Sequence, residues 1–279
     1  GRLSVTLSCR QSMQWRELQL SDGNTLSVGV IEPEAPCVTL ICVHGWTLDH
    51  RSFLNQAPLS AKGIRLVTFD RRGFGANNST PGLDLEMADV HAVVNQFDTP
   101  IVGFGVSQGA RVLMRYVSQH PDRLAAVLLQ GGMVDGLPID SQEIPIERFA
   151  GLVQAGQFDA FKREWLSHPL MCDGVPAHQR AEVASLISRY EGRDLLPGVR
   201  MPTPCDLTES LRETPAALAV IEAEEETPLR RRHAAFLAEQ CGAMSIPMPG
   251  GHLCHFTHAE AFNAKLMAWL DHLGHGANG

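Results

Sequence analysis

Five almost uninterrupted apolar runs punctuate the chain, at residues 37–43, 65–69, 101–106, 124–129 and 217–221, and a weaker sixth spans 244–247. Runs of this kind, lacking a polar face, suit strands buried on both sides of a parallel sheet. Between them, residues 85–96, 110–120, 229–241 and 259–273 space their apolar side chains as helices that bury one face do. Residues 15–30 alternate instead, around Ser21-Asp22-Gly23-Asn24, and predict a β-hairpin. Strand and helix in alternation predict an α/β fold, a mostly parallel doubly wound sheet. In that architecture ligands gather at the carboxyl ends of the strands.

One interval breaks the rhythm. Residues 132–214 contain no strand pattern, only helix-like pieces at 147–152, 158–166 and 179–190 set among Pro, Gly and His. An insertion that long is not mere loop. It is expected to form a helical cap subdomain over the strand ends, leaving 1–131 and 215–279 as the core domain.

Composition narrows the function classes. The 279 residues are 44% hydrophobic and carry a net charge of −8, enough for one large core and with no basic stripe for a nucleic acid. Arg230-Arg231-Arg232-His233 is the strongest basic run, and it is expected to be a solvated helix face. No run reaches transmembrane length, so no membrane partner is expected. Seven scattered cysteines (Cys9, Cys37, Cys42, Cys172, Cys205, Cys241, Cys254) include no C-x-x-C pair. An odd number of them, several in apolar runs, suits reduced and mostly buried thiols in a cytoplasmic protein. No leader pattern opens the sequence. The expected partner is a small-molecule substrate, with a homodimer as the assembly to test.

The chemistry centres on Gly105-Val106-Ser107-Gln108-Gly109, directly after an apolar run and directly before a helical one. A serine on so tight a turn projects its hydroxyl away from the backbone, and the flanking glycines permit the turn. Serine is a poor nucleophile at neutral pH, so it needs a base, a group that orients the base, and donors for the oxyanion. His252, after Pro249-Gly250-Gly251 and ahead of the last helix, is the candidate base; His255 and His258 stand nearby. The spacing of these histidines around Cys254 matches no familiar zinc-ligand pattern, and neither metal nor cofactor is expected. The orienting acid is sought in Glu222-Ala223-Glu224-Glu225-Glu226, with Asp135 as the alternative from another strand end. Backbone N–H groups of Gln108 and Trp46 are the candidate oxyanion hole, Gly45 allowing close approach. His44 is read as a brace for that loop. Met133, Phe149, Phe161, Trp165 and Met171 are candidate pocket walls in the cap.

With these residues in place, the chain resembles the α/β-hydrolase superfamily, above all its esterases, lactonases, cofactor-free haloperoxidase-like enzymes and C–C bond hydrolases. The resemblance rests on His44-Gly45-Trp46 through Phe53, Asp70-Arg71-Arg72-Gly73-Phe74-Gly75, the Ser107 elbow with His120-Pro121-Asp122-Arg123, and Gly251-His252 followed by Glu260-Ala261-Phe262-Asn263. It implies Ser107 as nucleophile and His252 as base. Counting from Pro215 and from Pro228 implies Glu224 as the acid, whereas Glu226 fits if Ala223 replaces the family's glycine. Asp70-Arg71-Arg72-Gly73 is expected to be structural, and Asp49-His50-Arg51 to line the pocket or cap a helix.

The leading expectation is a serine hydrolase that cleaves a small carboxylic ester or lactone through an acyl-enzyme on Ser107. Alternatives are C–C bond hydrolysis of a ring-cleavage product, cofactor-free oxygenase chemistry and a hydrolase-like receptor with vestigial activity. Against the oxygenase stands Gly131, where such enzymes tend to place an acid.

Overall fold

A computed structural model describes residues 12–139 and 142–274. Its eight strands are β1 (Gln14–Gln19), β2 (Thr25–Ile31), β3 (Val38–Val43), β4 (Ile64–Phe69), β5 (Ile101–Val106), β6 (Ala126–Gln130), β7 (Ala217–Ala223) and β8 (Met244–Met248). They form one sheet in the order β1-β2-β4-β3-β5-β6-β7-β8. The hairpin β1–β2 pairs antiparallel and joins β4 antiparallel, and every pairing from β4 to β8 is parallel.

Position in the sheet explains the strength of each sequence signal. Central strands β3 and β5 are buried at every residue, which is why they read as continuous apolar runs. Edge strand β8 exposes Met244, Ser245 and Pro247, hence its weak pattern. Successive side chains of β3 serve opposite layers, Ile41 and Val43 on one face and Leu40 and Cys42 on the other. The first layer holds helices α1 (Glu86–Val94) and α2 (Gln108–Gln119). The second holds Phe53 and Leu59 of a 3-10 segment, His50–Lys62. Asp49 caps that segment by accepting the Arg51 N–H, and Gly63 ends it in the left-handed region at φ 83°.

Between β6 and β7 lie α3 (Ile146–Gln154), α4 (Phe158–Ser167), α5 (Pro169–Cys172), α6 (Arg180–Leu186) and α7 (Thr208–Glu213), with no strand among the described residues. Phe149, Phe161, Trp165, Val183 and Leu186 build a third apolar cluster that closes on Trp46, Leu48 and Phe74 of the strand-end loops. The last helix of the interval behaves differently. Leu211 of α7 belongs to the first sheet layer, and the Leu207 N–H donates to the Asp135 carbonyl. After β7 come α8 (Pro228–Gln240), α9 (Cys254–Thr257) and α10 (Ala259–His272), with Phe262, Leu266 and Trp269 of α10 packed in the second layer.

Among the described cysteines only Cys42 and Cys254 are buried; Cys205 is exposed, and all six are free thiols. Cys9 lies outside the described residues. No helix among the described residues is long and apolar enough to cross a membrane.

Candidate active site

Ser107 sits between the last residue of β5 and the first of α2 with φ 56° and ψ −118°, a backbone conformation that L-residues avoid. It is held there by its own N–H donating to the Gln130 carbonyl at 2.7 Å and its carbonyl accepting from the Ala110 N–H at 3.0 Å. Both motif glycines are required by contact. A Cβ on Gly109 would lie 2.0 Å from the Val43 carbonyl oxygen, and one on Gly105 would lie 2.6 Å from the Ala110 Cα.

His252 stands beyond the end of β8, and its Nδ1 is 2.7 Å from Glu226 Oε1. An ionised carboxylate only accepts, so Nδ1 carries the proton and Nε2 is the free base nitrogen. Burial pushes the Glu226 carboxyl up, but the His252 imidazole, the Arg230 guanidinium and the Thr227 N–H outweigh it, and its pKa is lowered overall. The second oxygen, Oε2, accepts the Thr227 N–H at 3.0 Å. Gln130, at the end of β6, donates to the His252 carbonyl at 3.0 Å and fixes that loop from below.

Of the two candidate acids, Glu224 and Glu226, the structure brings Glu226 to the imidazole. The reason is the length of β7. It runs two residues past the end of its apolar run, pairing Glu222 with Pro247 and Ala223 with Met248. The N–H groups of Glu224 and Glu225 continue toward the same neighbour, donating to the carbonyls of Met248 and Gly250. Only at Glu226, whose N–H turns back to the Ala223 carbonyl, does the chain reverse toward His252. Glu224 is left exposed. Asp135, the alternative acid, is bound by Arg111 at 2.8 Å and Arg115 at 3.0 Å and does not join the pair.

Gly131 carries the same logic. At φ 64°, a Cβ there would lie 2.5 Å from Glu226 Oε1 and 2.5 Å from the His252 ring. A side chain at the end of β6 and a carboxylate after β7 compete for one volume, and this chain fills it with Glu226.

The loop after β3 approaches Ser107, close enough that a Cβ on Gly45 would lie 3.2 Å from Ser107 Cβ. The loop's turn bond runs from the Leu48 N–H to the Gly45 carbonyl, and among the described residues the Trp46 N–H has no acceptor. The Gln108 N–H opens α2 and has no intrahelical acceptor. His44 braces this loop. Its Nε2 accepts the Arg71 N–H at 2.9 Å, so Nδ1 must be the protonated nitrogen and donates to the Gly45 carbonyl at 2.8 Å. Burial, with Arg71 beside it, lowers the His44 pKa to about 4. Thr47, at φ 67°, is steadied by its hydroxyl, which accepts the Trp165 indole N–H at 2.9 Å.

Ser107 and His252 line one chamber together with Trp46, Leu48, Ile144, Trp165, Met171 and Leu253. Its volume is about 20 Å³, room for about one water. Of the expected pocket walls, Trp165 and Met171 line it. Phe149 and Phe161 pack behind, against Trp46, as core of the helical cluster. Met133 is half-buried and lies elsewhere. The inserted region also anchors Trp46 directly. The Trp46 indole N–H donates to Asp194 Oδ2 at 2.7 Å, and the Tyr190 hydroxyl donates to Oδ1 at 2.6 Å. Burial raises the Asp194 carboxyl despite both donors.

The residue that sequence reasoning missed is Arg230. The solvated face expected of this basic run holds for Arg231 and Arg232, which are exposed, but not for Arg230, which is 7% exposed. Its Nη1 lies 3.2 Å from Ser107 Oγ and 2.6 Å from the Gly131 carbonyl, and its Nε donates to Glu143 Oε1 at 2.8 Å. A helix beginning at Pro228 puts its third residue on the inner face of the first turn. That phase was the available signal.

The other histidines have other work. His255 is fully buried, its Nδ1 accepting from Gln130 at 2.9 Å, and His258 bonds the Thr257 hydroxyl. Asp49, His50 and Asp70 approach one another closely enough to suggest a cation site. Their carboxylates are already engaged, Asp49 by the Arg51 guanidinium and Asp70 by His50 and the Ala76 N–H.

A model of the alpha/beta hydrolase family matches residues 40–265. A Synechocystis sp. protein that carries the name "Putative non-heme chloroperoxidase" is 25% identical over 253 residues, covering 83% of this chain and 90% of its own. Among solved structures, an esterase from Exiguobacterium antarcticum superimposes with a TM-score of 0.76 at 16% identity, covering 92% of this chain and 100% of that one. A bromoperoxidase from Bacillus anthracis does so with a TM-score of 0.72 at 20% identity, with the same coverage. At such identities the solved structures speak to the fold alone.

Proposed function

The chain belongs to the alpha/beta hydrolase family, and from that premise we propose that it is a serine hydrolase acting on a small carboxylic ester or lactone. The observation that carries the reading is that a strained Ser107 and a Glu226-oriented His252 line one chamber. His252 Nε2 takes the proton as Ser107 Oγ attacks the carbonyl carbon. The Trp46 and Gln108 N–H groups receive the oxyanion, each worth roughly 3–4 kcal/mol in such sites. Collapse expels the alkoxide, which His252 protonates, and leaves an acyl-enzyme. Water, deprotonated by the same nitrogen, then releases the acid and restores Ser107. Glu226 holds the tautomer throughout and stabilises the imidazolium.

The test is a neutral fluorophosphonate probe followed by peptide mapping. Stoichiometric labelling at Ser107, and loss of 4-nitrophenyl acetate turnover in Ser107→Ala with an unchanged melting temperature, are expected. Folded protein that resists the probe, or a Ser107→Ala variant that keeps its turnover, overturns the reading.

A further inference from the structure

A guanidinium beside the nucleophile is not demanded by ester hydrolysis, and burying one is costly unless it is paired. Arg230 is paired from outside its own helix. Glu143, from the segment between β6 and α3, accepts from Arg230 Nε at Oε1 and from the Thr227 hydroxyl at Oε2. The Glu143 backbone carbonyl also bonds His168 Nε2 at 2.8 Å. Arg230 Nη1 is spent on Ser107 and the Gly131 carbonyl, so the orientation of the guanidinium is fixed and its Nε edge is the one offered to a carboxylate.

The position of Glu143 gives this pair a further meaning. The chamber at Ser107 holds no more than about one water, so a wall must yield to admit any substrate. Ile144 lines that chamber, whereas Glu143 lines an open groove of about 620 Å³ on the other side, together with Thr227, His168 and Asp173. Consecutive residues thus face the two spaces, Ile144 the chamber and Glu143 the groove, and the Glu143 carboxylate is bound there by Arg230 and Thr227.

We infer that Glu143 occupies the place of a substrate carboxylate, and that the preferred substrate is the monoester of a short dicarboxylic acid. The free carboxylate replaces Glu143 on Arg230 Nε and the Thr227 hydroxyl, a short chain away from the ester carbonyl held at Ser107. One displacement both recognises the anion and joins the groove to the chamber. This inference rests on the serine-hydrolase reading above and adds its substrate class.

The experiment compares kcat/KM for monomethyl succinate and for methyl valerate, its uncharged counterpart, by acid release in a pH-stat. The wild-type protein is expected to favour the anionic ester about tenfold or more, the usual scale for a charge-assisted hydrogen bond. Arg230→Gln should cut that ratio at least about tenfold, and Arg230→Lys should fall between, because a point charge lacks the planar fork. Glu143→Gln should raise kcat/KM for the anionic ester, chiefly through KM. Succinate should also slow fluorophosphonate labelling of the wild-type protein. If the probe labels Ser107 but the wild type favours the neutral ester, or if both Arg230 variants keep the wild-type ratio, the substrate inference falls and the hydrolase reading stands. If the probe fails to label folded wild-type protein, the hydrolase reading falls first.

Discussion

Arg71 Nη2 lies 2.9 Å from Gln108 Oε1. The same side chain donates to Glu86 from Nε at 2.6 Å and to the His44 carbonyl from Nη1 at 3.1 Å. One buried guanidinium thus ties together the two loops that carry the proposed oxyanion donors, the one after β3 and the one that opens α2. Arg71→Met leaves the Glu86 carboxylate buried without its partner. The expected cost is about 3–5 kcal/mol, read by urea unfolding. Adding Glu86→Leu should recover most of that stability and little of the activity, because the loops remain untied. Full recovery of kcat in the double variant would show that Arg71 only balances charge.

Glu226→Gln and Glu224→Gln should separate cleanly. The amide at 226 can accept from His252 Nδ1 or donate to it, so it no longer enforces the tautomer; kcat should fall by about two to four powers of ten. Glu224 is solvent-facing, and its Gln variant should match the parent within about twofold. Equal kinetics for the two variants would place the orienting acid elsewhere.

Gly131→Ala adds a single methyl where His252 and Glu226 already meet, at a positive φ. The ring must shift, so kcat should drop at least about a hundredfold, the scale of a small misplacement at a reacting centre. Thermal unfolding should show a milder loss. Wild-type kcat in this variant would mean that the pair is not held where the contacts place it.

Two buried imidazoles set an acid limit on stability. The His44 pKa is lowered to about 4 by burial and Arg71, and that of His255 to about 3 by burial and His252. Both are neutral when folded and regain a value near 6.5 when unfolded. Below pH 6.5 the unfolded chain therefore binds more protons than the folded one, and stability falls as pH falls. The slope approaches about 1.4 kcal/mol per pH unit for each histidine. Denaturant midpoints between pH 7 and pH 4.5 should follow this trend, and His255→Gln should remove about half of the slope. A flat profile across that window contradicts the assignment.

Much of this architecture is written in local patterns. Strands buried on both faces announce themselves as apolar runs, and the elbow is legible because steric contact at Gly105 and Gly109 leaves glycine no substitute. His252 is legible from its place after the last strand. The partner acid is not, because the end of β7 is set by pairing to β8 rather than by hydrophobicity. Glu222 lies in β7, and the N–H groups of Glu224 and Glu225 bond to residues at and beyond the end of β8. Arg230 is hidden for a different reason. A charged run looks solvated until the phase of its helix is known, and only the partner Glu143, from a distant segment, explains how the charge is buried. The apolar side chains of the inserted region show the same limit: spacing cannot tell Trp165 and Met171, which face the chamber, from Phe149 and Phe161, which sit behind it.

The edge position of β8 has a kinetic corollary. Its neighbour in the sheet is β7, and the loop beyond it carries His252, which lines one chamber with Ser107 at the end of central strand β5. Marginal strands are the first to detach and the last to return during sub-global opening. Catalytic competence should therefore lag behind the bulk of the far-ultraviolet signal during renaturation, and amide exchange in residues 244–248 should run ahead of the centre, with the enzyme reporting on its own rim.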